Sequence, residues 1–91
     1  MHPCPVCAYV GLEEPAYDNH GYASFEICAC CGIEFGYQDA RRSHGELRRE
    51  WIANGMKWHH PPPPAGWNPV AQLRNAGFDL PGAAMPPGDE R

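Results

Sequence analysis

The sequence predicts a small α+β fold stabilised by metal: a β unit closed around one ion, then one or two short helices and a proline-rich arm. Three observations carry this. Cys4-Pro5-Val6-Cys7 and Cys28-Ala29-Cys30-Cys31 form two C-x2-C pairs separated by 20 residues, the spacing of a four-thiolate metal site. At 91 residues the chain has little room for a core, and chains near this size often need a metal or disulfides. Finally, 11 Pro and 10 Gly dictate short elements joined by turns and an extended linker.

The first unit is expected over residues 1–39, a ribbon in which each of two strands carries a metal knuckle. Tyr9–Leu12 can form a short strand and Tyr22–Ile27 a second, with Asp18-Asn19-His20-Gly21 as turn residues between them. Ile33–Tyr37 can be a third short strand or an extended segment. Residues 40–55 are expected to hold a helix packed on the ribbon. Ser43 and Glu46 have the form of a capping box, Leu47, Trp51 and Ile52 lie on one face, and Gly55 stands where a left-handed C-cap belongs. Residues 56–68 are a proline-rich linker in which Pro61–Pro64 favour polyproline II. A short helix is expected over 69–77, with Asn68 as N-cap and Pro69 at its first position, and 78–91 read as a flexible tail.

The knuckles define the candidate site. A C-x2-C turn lets both sulfurs face one ion, and the residue after the second cysteine often needs a positive φ, hence glycine. Gly32 meets that need after Cys31; Ala8 after Cys7 does not, which makes the first knuckle less ideal by about 1 kcal/mol. Adjacent cysteines point apart, so Cys4, Cys7, Cys28 and Cys31 are assigned as the ligands. Cys30 is then a spare thiol, a small residue of the knuckle, with a redox or alternate-ligand role as the competing reading. A closed four-thiolate site has no open position for Lewis-acid catalysis. One structural Zn2+ is the expected ion; iron in the same cage is the second candidate and would carry electrons. His59-His60 reads as linker, His2 and His20 as surface or turn residues, His44 as a core or capping residue, and Glu13-Glu14 as a solvated pair. No hydrolase triad or phosphate loop is present, so no enzymatic activity is expected.

Charge separates the partner classes. Residues 1–39 hold Glu13, Glu14, Asp18, Glu26, Glu34 and Asp39 and no Lys or Arg. Arg41, Arg42, Arg48, Arg49 and Lys57 all follow. Four thiolates on a divalent ion add about two more negative charges. Such a ribbon repels phosphates, which argues against nucleic acid as a partner. Tyr17, Tyr22, Tyr37, Trp58 and Trp67 exceed what so small a core can bury, so a protein partner is expected. The competing reading packs Trp58 and Trp67 back onto the ribbon. Met1-His2-Pro3-Cys4 leaves no room for a secretory leader and no apolar run is long enough to span a membrane, so the expected setting is the cytoplasm, where paired cysteines bind metal rather than oxidise.

These motifs as a set also carry a resemblance. Cys4-Pro5-Val6-Cys7, Gly11-Leu12-Glu13-Glu14-Pro15, Ser24-Phe25-Glu26-Ile27-Cys28 and Cys31-Gly32-Ile33-Glu34-Phe35-Gly36-Tyr37-Gln38-Asp39 resemble the small bacterial cysteine-rich CPCC-type proteins. Trp51-Ile52, Lys57-Trp58, Pro62-Pro63-Pro64 and Trp67-Asn68-Pro69 look like the longer members. Ala8 and Ala29 depart from the glycine and proline usual there, and neither departure removes a ligand. The resemblance implies a zinc-ribbon or rubredoxin-like fold that binds zinc. Cys7-Ala8-Tyr9 and Cys28-Ala29-Cys30-Cys31-Gly32 are similar to the metal loops of rubredoxins, but the gap between pairs is shorter and a proline-linked helical extension follows. The leading expectation is therefore a non-enzymatic zinc-stabilised interaction module, with an iron electron carrier and a nucleic-acid-binding zinc ribbon as alternatives.

Overall fold

The computed structural model describes residues 1–78. Among them the elements are β1 (His2–Pro3), β2 (Val10–Leu12), α1 (His44–Ala53) and α2 (Pro69–Asn75). β1 and β2 pair antiparallel, His2 opposite Leu12 and Pro3 opposite Val10, with a register shift between them. The first knuckle is the loop of this hairpin.

The expected strand over 22–27 does not form as a regular element. Phe25 takes φ +61°, which reverses the chain where a strand would alternate. Single antiparallel bridges remain on either side, Tyr17 with Ala23 and Ile27 with Glu34. The expected third strand likewise reduces to the Glu34 bridge, because the chain turns at once: the Tyr37 and Gln38 amides both donate to Glu34 O. The turn at 18–21 forms as its residues suggest, with Asp18 Oδ1 accepting from the amides of His20 and Tyr22 at 2.8 and 2.9 Å.

Both helices begin and end on side chains that the local sequence supplies. Ser43 Oγ accepts from the Glu46 amide at 3.1 Å while Glu46 Oε1 accepts from the Ser43 amide at 3.0 Å, a reciprocal capping box. At the other end, Gly55 N–H bonds Ile52 O and Met56 N–H bonds Trp51 O, the paired bonds of a Schellman stop. α2 starts with Asn68 Oδ1 accepting from the Ala71 amide and repeats the Schellman pattern through Gly77 and Phe78 onto Arg74 and Leu73.

Around the knuckles lies one buried cluster, in which Val6, Leu12, Phe35 and Leu73 are almost wholly covered and Leu47 and Trp51 come from α1. The arm after α1 folds back onto it. Trp58 stacks edge-on against Tyr9 and Trp67, and Trp67 meets Trp51. Each indole N–H has an acceptor: Lys57 O for Trp51, His60 O for Trp58 and Gln72 Oε1 for Trp67. Trp58 and Trp67 thus pack the arm to the core rather than facing outward. The proline run bends at 59–62, so it is not a continuous polyproline II rod; its Pro61–Pro62 bond is cis. Phe78, placed by sequence in the tail, lies 3.6 Å from the Arg48 guanidinium; the rest of the expected tail, 79–91, lies outside the described residues.

Asp39 pins the ribbon to the start of α1. Its side chain is fully covered. Its oxygens accept from the Gly36 amide (2.7 Å) and the Tyr17 hydroxyl (2.6 Å) and bond His44 Nε2 (2.8 Å). Burial alone raises the pKa of this carboxyl, but the bonds from Tyr17, His44 and Gly36 outweigh it and hold the group below the usual carboxylate range. The same bond pushes the Tyr17 hydroxyl up. A carboxylate whose folded pKa is depressed stabilises the fold above its unfolded pKa, and that stability is lost as pH falls through the folded value. Asp39→Asn should therefore lower stability by about 1–3 kcal/mol at pH 7, read from urea midpoints, with the gap to wild type shrinking below about pH 4.

Candidate metal centre

The site is built from two copies of one backbone turn. In the first, Cys4 N–H donates to Tyr9 O and Ala8 N–H to Cys4 O, at 2.8 and 2.9 Å; in the second, Cys28 N–H donates to Ile33 O and Gly32 N–H to Cys28 O, at 3.0 and 2.8 Å. Ala8 and Gly32 take matching positive φ values, +73° and +80°. The structure thus places Ala8 in the conformation that glycine would adopt more cheaply.

The four sulfurs of Cys4, Cys7, Cys28 and Cys31 lie within 4.8 Å of one another. The Cys4–Cys31 and Cys7–Cys28 Sγ pairs are each 3.7 Å apart. That is far beyond the ~2.0 Å of a disulfide. It matches the edge of a tetrahedron of sulfurs about 2.3 Å from its centre, which is about 3.8 Å. The donor set therefore fits a tetrahedral thiophilic ion by both distance and chemistry, although it does not choose between zinc and iron. The thiol protons show the same crowding. Donation to Cys28 pushes the Cys7 and Cys31 thiols up, while Cys28, accepting from Cys31, is held down. A cation entering the site displaces those protons.

Cys30 and Val6 occupy equivalent positions in the two turns, one residue before the second ligand. Both are fully buried. Cys30 thus fills in the second knuckle the apolar place that valine fills in the first, its sulfur 3.6 Å from Gln72 Nε2, and it stands outside the four-sulfur cluster.

Neither knuckle stands alone, because the inner carbonyls of each are capped from later in the chain. Arg48 Nε and Nη2 donate to Val6 O and Pro5 O at 2.8 and 2.7 Å. The matching carbonyls of the second knuckle, Cys30 O and Ala29 O, accept from the backbone amides of His59 and His60, both at 2.9 Å. One knuckle is capped by a guanidinium and the other by main chain. A donor on these carbonyls polarises the peptides whose N–H groups face the sulfurs; Val6 N–H approaches Cys4 Sγ at 3.4 Å. Burial lowers the proton affinity of Arg48, while the charges of Cys4 and Cys7 pull the other way. Gln72 adds a third tie, Nε2 to Cys7 O at 2.9 Å.

The sequence gives little sign of these supports. Arg48 reads there as part of a solvated helix face, and Gln72 carries no motif at all; only the spacing of the cysteines announces that something must lie over them. The histidine pair contributes its backbone to the site. The His59 ring also leans on Gly32, where an added Cβ would sit 2.7 Å from Nδ1, so a side chain there would have to displace the ring as well as bear the left-handed backbone.

No protein-family model matches the chain, and no solved structure matches it. Among curated proteins it is similar to two from Bacillus subtilis (strain 168). It is 30% identical to the uncharacterized protein YoaQ over 66% of this chain and 64% of that one. It is 33% identical to the uncharacterized protein YozI over 67% of this chain and 64% of that one. The chain thus spans just under two thirds of the length of each relative.

Two substitutions test the site. Ala8→Gly should stabilise the protein by about 0.5–1 kcal/mol, the relief of left-handed strain exceeding the added chain entropy, measured by urea unfolding with metal present. Arg48→Ala should weaken retention of added zinc by about 10- to 100-fold in competition with a chromophoric chelator. Arg49→Ala, on an exposed side chain, should leave retention unchanged.

Proposed function

We propose that this is a non-enzymatic protein closed around one structural zinc ion, a zinc-ribbon or rubredoxin-like interaction module of the CPCC type that meets a protein partner in the cytoplasm. The observation that carries the reading is the closed donor set: four sulfurs at tetrahedral spacing, three of their residues buried and Cys31 half-buried. Such a cage leaves no coordination position for water or substrate, which suits a structural ion and not a hydrolytic one. Cys4, Cys7, Cys28 and Cys31 would hold the ion, and thiolate ligation would supply folding free energy that so small a core lacks. Among the described residues no helix is long and apolar enough to cross a membrane.

Partner class follows from charge. The ribbon half has no Lys or Arg. Of the cations on and around α1, Arg42 is paired with Glu50 at 2.9 Å and Arg48 is turned onto the first knuckle. Arg41, Arg49 and Lys57 remain as exposed cations there, too few to track a phosphate backbone against that acidic half. A second reading, an iron electron carrier, has one observation in its favour: the half-exposed Cys31 would bring a ligand sulfur near the surface, where an electron could enter.

Elemental analysis of protein purified without added metal, with its absorption spectrum, separates the two. One zinc per chain and no visible colour is the expected result; one iron per chain with reducible thiolate-to-iron bands would replace the module with the electron carrier. Removing the ion with a chelator should unfold the protein, a loss on the order of 10 kcal/mol, followed by circular dichroism and tryptophan emission. A chelated protein that kept its fold would refute the structural role.

A further inference from the structure

Val10 and Tyr22 are among the large apolar side chains exposed on the ribbon, and so are Phe25, Ile27 and Tyr37, at 62%, 53% and 71%. The last three fall on one pair of neighbouring segments, 25–27 and 34–37. Phe25 lies directly over Gly36, where an added Cβ would fall 2.6 Å from its ring. Tyr37 follows Gly36 in the chain, and Ile27 is bridged to Glu34 in the same pair of segments. Phe25 holds φ +61°, a conformation that costs a bulky residue about 1–2 kcal/mol, and it does so over Gly36, which is itself left-handed at φ +93° and has no side chain to hold the ring away. Folding gains little from the strain at Phe25, since its ring is left mostly in water. Strain kept at an exposed aromatic is a mark of function.

The charge around the face selects its occupant. Glu26 is the neighbour of Phe25, and its carboxylate accepts from the amides of Glu13 and Glu14 at 2.9 and 3.1 Å, drawing those two residues alongside. Glu34 lies across from Ile27. Among the described residues the ion pairs are Arg42–Glu50 and His44–Asp39, so Glu13, Glu14, Glu26 and Glu34 have no cationic partner there. Apolar studs within unpaired carboxylates fit a ligand that is itself basic and apolar, and repel nucleic acid and anionic lipid alike. The groove that Gly36 and Tyr37 share with α1 is of mixed charge, with Arg41 and the paired Arg42 and Glu50 along it.

We propose that the face formed by Phe25, Ile27 and Tyr37 within the acidic set Glu13, Glu14, Glu26 and Glu34 is the docking surface for a basic polypeptide segment carrying large apolar side chains, supplied by another protein. The proposal rests on the interaction-module reading above and names its surface and the chemistry of its partner.

Zinc-loaded protein is presented to a phage-displayed library of short random peptides, and selected peptides are synthesised and titrated by fluorescence anisotropy. The expected peptides combine Lys or Arg with aromatic or large aliphatic residues. Their affinity should fall about tenfold or more in Phe25→Asn and in Tyr37→Ser, and should weaken as salt is raised. Asn tolerates the left-handed backbone at 25, so that variant keeps its fold; zinc content and circular dichroism check both variants. Selected peptides that are acidic or neutral, or whose affinity survives both substitutions, overturn this surface; if chelation still abolishes their binding, the module reading stands without it. A library that yields no binder overturns the surface; if the protein as purified also carries reducible iron, the module reading goes with it. Sedimentation velocity on the same samples gives the remaining outcome: self-association lost in Phe25→Asn would assign the face to a second copy of this chain and overturn the proposal of a separate partner.

Discussion

Four thiolates cannot share a space under 5 Å across unless a cation sits among them or some keep their protons. Everything else in this structure is arranged around that constraint. The sulfurs lie at tetrahedral separations, the crowded thiols Cys7 and Cys31 hold their protons tightly, and the buried cluster wraps the two turns that present them. Repulsion among the donors is the force that an ion would relieve, so under the proposed reading a metal of the right softness is a folding partner rather than an ornament.

The two knuckles share a backbone and differ in how they are buttressed. Each leaves two inner carbonyls that need donors in a half-buried setting. α1 meets the first pair with Arg48, and the arm after it meets the second with the amides of His59 and His60. The three tryptophans then act as fasteners, their rings packing the arm and their N–H groups spent on local acceptors. Helices and arm are thereby parts of the metal centre, although none of them supplies a ligand. Occupancy of the site would thereby be linked to the stability of these distant segments.

How much of this the sequence reveals depends on the range of the interaction. The ligand set, the Ser43–Glu46 box, the Gly55 stop and the Asn68–Pro69 start are local patterns, in which a few neighbouring residues satisfy one another. The failure of the expected strand at 22–27 has no such signal: Phe25 in a left-handed conformation contradicts its propensity, and only the seat offered by Gly36 makes it tolerable. β1 escaped the sequence reading because His2–Pro3 is a strand only through its partner β2. Asp39, Arg48 and Gln72 are equally hidden: Arg48 and Gln72 act on groups 42 and 65 residues away, and Asp39 joins its near neighbours Gly36 and His44 to Tyr17, 22 residues back, by no spacing rule. Ala8 shows an intermediate case. Its position was recognisable as one that asks for positive φ, and the structure holds it at +73°.

The distribution of these parts along the chain sets an order of events during synthesis. Domains are made from the N-terminus onward. All four ligands have been added by residue 31, whereas the donors that cap their turns come at 48, 59, 60 and 72. An emerging chain therefore holds a complete set of sulfurs before it holds the groups that support them. On the metal reading, ion capture would begin on a loosely held precursor that still exchanges freely, and the later segments would then close over it like a latch, turning a reversible encounter into long retention.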